Sequence, residues 1–382
     1  MILVIGHEAS LTGAPIVLLH YSRWLTEIKK EKLIFLFTLG GPLIADFEKL
    51  GDVFILEPCF EPSPLITRIK KRILFNTEKN HKKNIIGRLL LLKPKLIINN
   101  TIVNGKVLKY FEGARIKIVS IIHELESVIR IYDKRGMVND TIRLTDNFIV
   151  VSQAVKNNLI NNHDIPEEKI SVIYECVPNL SNSFKENCNI KEFGREKFII
   201  GGCGNLIFRK GIDVFVRVAY ELIYKRNIKD VLFFWVGGNE QSNLFVETNE
   251  DIKKLGLNDY VQISGETKSP HAFYEGMNIF LMTSREDPFP LVNLEAAQHG
   301  LPIICFDRSG GSPEFVTEDV GFVVPYLDVS AMADKIEILK NDIKLTKQFS
   351  ANIKEKSKQY TVDIMAIKLY ETITPYLINK TE

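Results

Sequence analysis

The segment S-R-E-D-P-F-P-L-V-N-L-E-A-A-Q-H-G-L-P, residues 284–302, sets one carboxylate, Glu295, inside an otherwise nearly apolar helical stretch. An unpaired carboxylate is costly to bury, so Glu295 either pairs within the protein or serves a ligand. Pro290 suits the first position of a helix, where its missing N–H costs nothing. The amides of Leu291 and Val292 then head a positive helix end suited to a phosphate. About one turn further in, Glu295 can accept from vicinal hydroxyls of a sugar. Asp287 lies on the preceding turn, eight positions before it. Equally, Asp287 reads as a plain turn residue and Glu295 as the partner of an internal cation.

A second group of residues follows an apolar run at 197–204, which leads into G-C-G-N-L-I-F-R-K-G (202–211). Gly202, Gly204 and Gly211 allow backbone to approach a phosphate closely, and Arg209 with Lys210 offers charge-assisted hydrogen bonds to a diphosphate. The spacing is not that of a G-x-G-x-x-G dinucleotide fingerprint, and an R-K pair also occurs as a plain solvated pair. In the amino-terminal half, His123 closes the run K-I-V-S-I-I-H (117–123), with Glu124 next to it; His7 follows the first apolar run; and Thr12 and Gly13 form a turn before a helix starting near Pro15. A glycine there permits close approach of a diphosphate or an acceptor, or serves only the backbone angles of the turn. A lone histidine after a strand is commonly a hydrogen-bonded structural residue.

These residues need a scaffold, and the 382-residue chain supplies a regular one. With 45% apolar and 25% charged residues it has the composition of a globular protein long enough for two domains. Short apolar runs at 2–6, 33–39, 53–56, 95–99, 117–122 and 147–152 alternate with helical patterns. Such runs fit strands buried on both faces of a parallel sheet. After 170–174 comes a polar stretch, and the alternation restarts at 197–204, 231–238, 260–265, 278–284, 302–307 and 320–325. The expected fold is therefore α/β, with two Rossmann-like domains facing a central cleft: residues 1–178, then 179–361, with a carboxyl-terminal helix at 362–382 packing back on the first. From about Lys344 to Ile378 the tail reads as helix. Ligands of open parallel sheets bind at the carboxyl ends of the strands, where the residues above fall.

Several classes are disfavoured. A net charge of +2 gives no footprint for nucleic acid. Five dispersed cysteines suggest neither a disulfide framework nor a zinc site. The amino terminus lacks a basic region and a long apolar run, so a cytoplasmic protein is expected. Locally, residues 65–95 carry ten basic side chains against the single Glu78. There Ile66, Ile69 and Ile73 share a helical face, a pattern that fits either an anionic membrane surface or a stripe packed on the domain.

Together, the 202–211 turn and the 284–302 segment resemble the nucleotide-sugar-binding half of retaining GT-B glycosyltransferases of family 4 type. That family carries a Glu, seven residues, Glu motif on a helix closing with A-x-G-x-P; here Glu295 is followed by A-A-Q-H-G-L-P, and Asp287 stands at the first position. S-L-T-G-A-P (10–15), I-I-H-E (121–124), I-V-V-S-Q-A-V-K (149–156), F-F-W-V-G-G (233–238), S-G-G-S-P-E (309–314) and G-F-V-V-P (321–325) match further family elements in order.

The resemblance implies a carboxyl-terminal donor domain and an amino-terminal acceptor domain. Arg209 and Lys210 would neutralise the donor diphosphate, so that no metal or other cofactor is needed beyond the nucleoside-diphosphate sugar. Glu295 would hold the ribose hydroxyls, and Asp287 would face the donor sugar beside the amides of Phe289, Leu291 and Val292. His123 would contact a sugar hydroxyl near the transferred centre. The acceptor would be a glycan or a lipid-linked glycan of the cell surface, with the basic 65–95 stretch at the inner face of a membrane. Two departures, Asp287 for Glu and Asn205 where the family has arginine, keep open a catalytically silent relative acting as a binding or scaffold subunit. A nicotinamide-dependent dehydrogenase would need the dinucleotide fingerprint that both halves lack.

Overall fold

The computed structural model describes residues 1–57, 68–133, 136–180, 197–267 and 270–377, the side chains of 68–79 excepted. Most of the polar stretch after residue 180, and the isoleucine face at 66–73, lie outside the described residues. The chain forms two compact units, Met1–Glu175 with Val362–Glu382, and Cys176–Thr361.

The first unit is built on a parallel sheet, seven-stranded among the described residues, of β1 (Ile2–Gly6), β2 (Leu33–Leu39), β3 (Gly51–Glu57), β4 (Leu96–Asn99), β5 (Lys117–Ile122), β6 (Asn147–Val150) and β7 (Ile170–Val172). Its order is β3-β2-β1-β4-β5-β6-β7. Strand β1 is buried along its whole length, as the unbroken apolar run I-L-V-I-G requires of a strand covered on both faces. Because the order reverses between β1 and β4, the loops after these two strands diverge and leave a crevice at their carboxyl ends.

The second unit repeats the plan with β8 (Phe198–Cys203), β9 (Val231–Val236), β10 (Val261–Ile263), β11 (Ile279–Met282), β12 (Ile303–Phe306) and β13 (Gly321–Val324), ordered β10-β9-β8-β11-β12-β13. Here the reversal falls between β8 and β11, whose following loops carry the 202–211 and 284–290 residues. Beneath them, Phe215 packs edge-on to Phe233 and Trp235, with ring centroids 5.3 Å from each.

The tail departs from a continuous helix. It forms Ile343–Ser357 and Val362–Leu377, broken by a tight turn at Lys358–Tyr360 and extended backbone at Thr361. The break is held by the Val177 N–H, which donates to the Tyr360 carbonyl at 3.1 Å. Beyond it the chain belongs to the first unit, where Tyr370 meets Trp24 edge-on and lies under the Lys29 ammonium. Among the described residues no helix is long and apolar enough to cross a membrane.

Candidate functional site

In the second unit, two loops bring Arg209, Lys210 and Asp287 together. The Lys210 ammonium donates to Asp287 Oδ2 at 2.6 Å, and an Arg209 guanidinium nitrogen lies 3.5 Å from the same oxygen. Arg209 also donates to the Glu286 carbonyl at 2.6 Å. The loops are stitched below by Arg285, whose fork grips Asp213 at 2.8 and 2.7 Å and covers the Phe208 ring. On the other side Asp287 bridges to the 309–311 loop, its N–H donating to Ser309 and its carbonyl accepting from Gly311.

Asp287 is thus a buried anchor, 5% exposed, with Oδ2 taken by lysine, arginine and the more distant Ser284 hydroxyl. An aspartate, one methylene shorter than glutamate, reaches the two cations from the loop floor.

Gly204 and Gly211 have positive φ, at 149° and 73°. At Gly211 a Cβ would sit 2.1 Å from the Thr283 carbonyl oxygen, so the loop that ends in Arg209 and Lys210 can close on β11 only with glycine there. Gly211→Ala is expected to destabilise the protein by about 2 kcal/mol or more, from left-handed strain plus the clash. An unchanged urea midpoint would contradict this.

Leu291–Gln298 forms the helix anticipated from the sequence, but Pro290 is its cap, not its first residue: its backbone is extended, and its carbonyl accepts the first bond, from Asn293 N–H at 3.1 Å. Leu291 and Val292 head the helix, where amides have no intrahelical acceptor. The Phe289 ring stacks on Tyr360 and meets Phe315 edge-on, fixing the loop from below. Glu295 is paired, though with a hydroxyl: Tyr274 Oη donates to its Oε2 at 3.0 Å. Burial pushes the Glu295 carboxyl above the usual range, against the opposing pull of the Tyr274 bond and the Lys210 charge.

In the first unit, the carboxyl ends of β1 to β4 border a cavity of about 610 Å³ lined by Thr12, His7, Glu8, Glu124, Tyr110 and Tyr132, among others. Thr12 caps the Gly13–Glu27 helix, so Gly13 is the first helical residue and not part of the turn, and its φ is not positive. Glu124 accepts from the Thr101 hydroxyl and from the N–H groups of His123 and Ile102. Burial raises its pKa.

His123 lies elsewhere than at that lining. Its Nδ1 meets Glu175 Oε1 at 2.6 Å and its Nε2 meets Asn100 Oδ1 at 2.9 Å. The Asn100 amide nitrogen donates to Ala14, which turns its oxygen to the ring. Both ring nitrogens therefore donate to protein acceptors. Burial alone would lower its pKa, but the Glu175 charge and hydrogen bond outweigh burial and raise it.

A histidine whose pKa is raised on folding contributes stability below its unfolded value, about 6.5, and loses it as pH rises through the folded value. Wild type is therefore expected to melt well above His123→Gln at pH 5.5, with a gap on the order of the 3–5 kcal/mol of a broken buried pair. The gap should narrow toward pH 8.5; a pH-independent gap would contradict the assignment.

Among the described residues, no group of three or more His, Cys, Asp or Glu side chains is placed to hold a metal ion. Tyr274, Glu175 and Asn100 escaped the sequence reading. Only Asn100 carried a signal, as a polar residue just past a buried strand.

Residues 183–356 match the family model described as glycosyl transferases group 1, and residues 36–178 that of glycosyltransferase family 4. The capsular polysaccharide biosynthesis glycosyltransferase CapM of Staphylococcus aureus is 25% identical over 249 residues, 59% of this chain and 64% of CapM. The amylovoran biosynthesis glycosyltransferase AmsD of Erwinia amylovora is 25% identical over 228 residues, 59% of this chain and 61% of AmsD. The chain thus spans a little over three fifths of the length of these relatives. Anabaena HepE, solved in complex with UDP, superposes with a TM-score of 0.78 at 19% identity, over 98% of this chain and 99% of HepE.

Proposed function

The chain belongs to the family 4 type glycosyltransferases of GT-B fold, and on that premise we propose that it transfers a sugar from a nucleoside-diphosphate sugar to an acceptor hydroxyl, with retention of configuration and without a metal. The observation that carries this reading is the pairing of Arg209 and Lys210 on a glycine-bounded loop at the switch point of the second sheet. Two cations there are suited to the charge that grows on a leaving diphosphate as the glycosidic bond breaks. Asp287 holds both cations in place until a diphosphate, a stronger and doubly charged acceptor, takes them over. Glu295, one turn into the next helix, receives the ribose hydroxyls. The leaving diphosphate itself can accept the proton of the acceptor hydroxyl, so a separate general base is not required.

The cavity of the first unit is the acceptor site in this reading. The half-exposed rings of Tyr110 and Tyr132 suit the apolar face of a sugar, and Glu8, Glu124 and Thr12 offer partners for its hydroxyls. CapM is named for capsular polysaccharide biosynthesis, which supports a cell-surface glycan as the product. A lipid-linked acceptor would bring the basic 65–95 stretch to anionic headgroups. Cosedimentation with anionic but not neutral vesicles tests that contact, and indifference to lipid charge counts against it.

The function is tested by incubating the purified protein with UDP-, GDP- and ADP-sugars and simple glycoside acceptors, with and without a chelator. Chelator-insensitive release of one nucleoside diphosphate, with a product of unchanged anomeric configuration by NMR, is the expected result. An inverted product or chelator-dependent turnover would refute retention or metal independence respectively. Binding without any turnover would favour a silent subunit.

A further inference from the structure

Resting on the reading of Glu295 as the ribose-binding carboxylate, we infer that Tyr274 is a positioning residue for nucleotide recognition, its hydroxyl fixing one oxygen of Glu295 so that the other is presented to the ribose. Tyr274 ends the short helix His271–Tyr274 and is fully buried. Its ring is caged by Phe280, His271 and His299, with centroids 5.9, 6.1 and 5.6 Å away, so it cannot swing from its place. From this fixed point Oη donates to Glu295 Oε2 at 3.0 Å. Oε1 accepts from no protein group among the described residues.

The Tyr274 hydroxyl has one hydrogen, and it goes to the carboxylate. A glutamate side chain left free spreads over several rotamers, and binding must then collapse them; one held by a rigid donor is already collapsed. A purely structural bond would stabilise the fold equally but would not distinguish nucleotides by their ribose.

The distinction can be measured with the full-length protein. The probe is whichever of UDP, GDP or ADP it binds, titrated alongside the 2′,3′-dideoxy form of the same nucleotide. Wild type is expected to prefer the ribonucleotide, and Tyr274→Phe to lose about five- to tenfold of that preference, with the dideoxy affinity held within about twofold. Tyr274→Met, which also lacks the hydroxyl, should lose the same share, and it carries the test if Tyr274→Phe does not fold. A preference kept by either variant overturns the role of Tyr274 while leaving Glu295 as the ribose partner. Absence of any preference in wild type removes the Glu295 reading, and this one with it.

Discussion

Lys210→Ala is expected to lower kcat/KM for sugar transfer by about 10²–10³-fold, the usual consequence of removing one preorganised group from developing negative charge. The same change strips Asp287 of its nearest cation, leaving Arg209 at 3.5 Å as its remaining ionic partner. Thermal stability should therefore fall as well, because one member of a largely buried pair is left behind. The two effects separate in Lys210→Ala/Asp287→Asn, which is expected to recover melting temperature but not turnover. A double variant that recovers both would mean that the lysine only served the fold. Recovery of neither would mean that Asp287 has a use beyond anchoring the cations.

Glu295→Gln is expected to weaken donor binding roughly ten- to a hundredfold, about 1.5–3 kcal/mol for hydrogen bonds to a charged group. The amide oxygen still accepts from Tyr274, but the other atom becomes a neutral donor, so the ribose hydroxyls lose their charged acceptor. Stability should move the opposite way. Burial raises the Glu295 pKa, so from the ordinary carboxylate range up to the raised value the folded chain keeps its proton more readily than the unfolded one, and wild type loses stability as pH rises through that window. The glutamine variant escapes that loss and should melt at or above wild type at pH 7. Calorimetry paired with nucleotide titration checks both signs. A variant that melts lower and binds normally would mark Glu295 as structural.

The fold was legible in the sequence because parallel strands buried on both faces appear as unbroken apolar runs: ILVIG at 2–6 and VLFFWV at 231–236 are strands in the structure and lie inside their sheets. Residues joined by short separations were legible too, as Arg209 with Lys210 and the helix bearing Glu295 show. What could not be read was set by distance along the chain. His123 is committed to Asn100 and Glu175, 23 and 52 positions away, and a motif at 121–124 says nothing of either. Likewise Glu295 meets Tyr274 from 21 positions off, in a four-residue helix without a pattern of its own. The break at Lys358–Tyr360 was invisible because the flanking segments keep a helical spacing of apolar residues. Only the bond from Val177 shows why the helix stops there. Asp287 shows the same limit: its spacing to Glu295 is visible in the sequence, while the contact of its side chain with Lys210, 77 positions earlier, is not.

On this reading the second unit binds a nucleoside diphosphate through Lys210. The deciding measurement is thermal unfolding of the intact chain with UDP, GDP, ADP and dTDP, each with and without a chelator. A ligand confined to the folded state stabilises by RT ln(1 + [L]/Kd), about 2.7 kcal/mol at a hundredfold excess over Kd. One nucleotide should raise the melting temperature regardless of chelator, and Lys210→Ala/Asp287→Asn should abolish the rise. No shift from any nucleotide, or a shift that survives the double variant, would contradict the account.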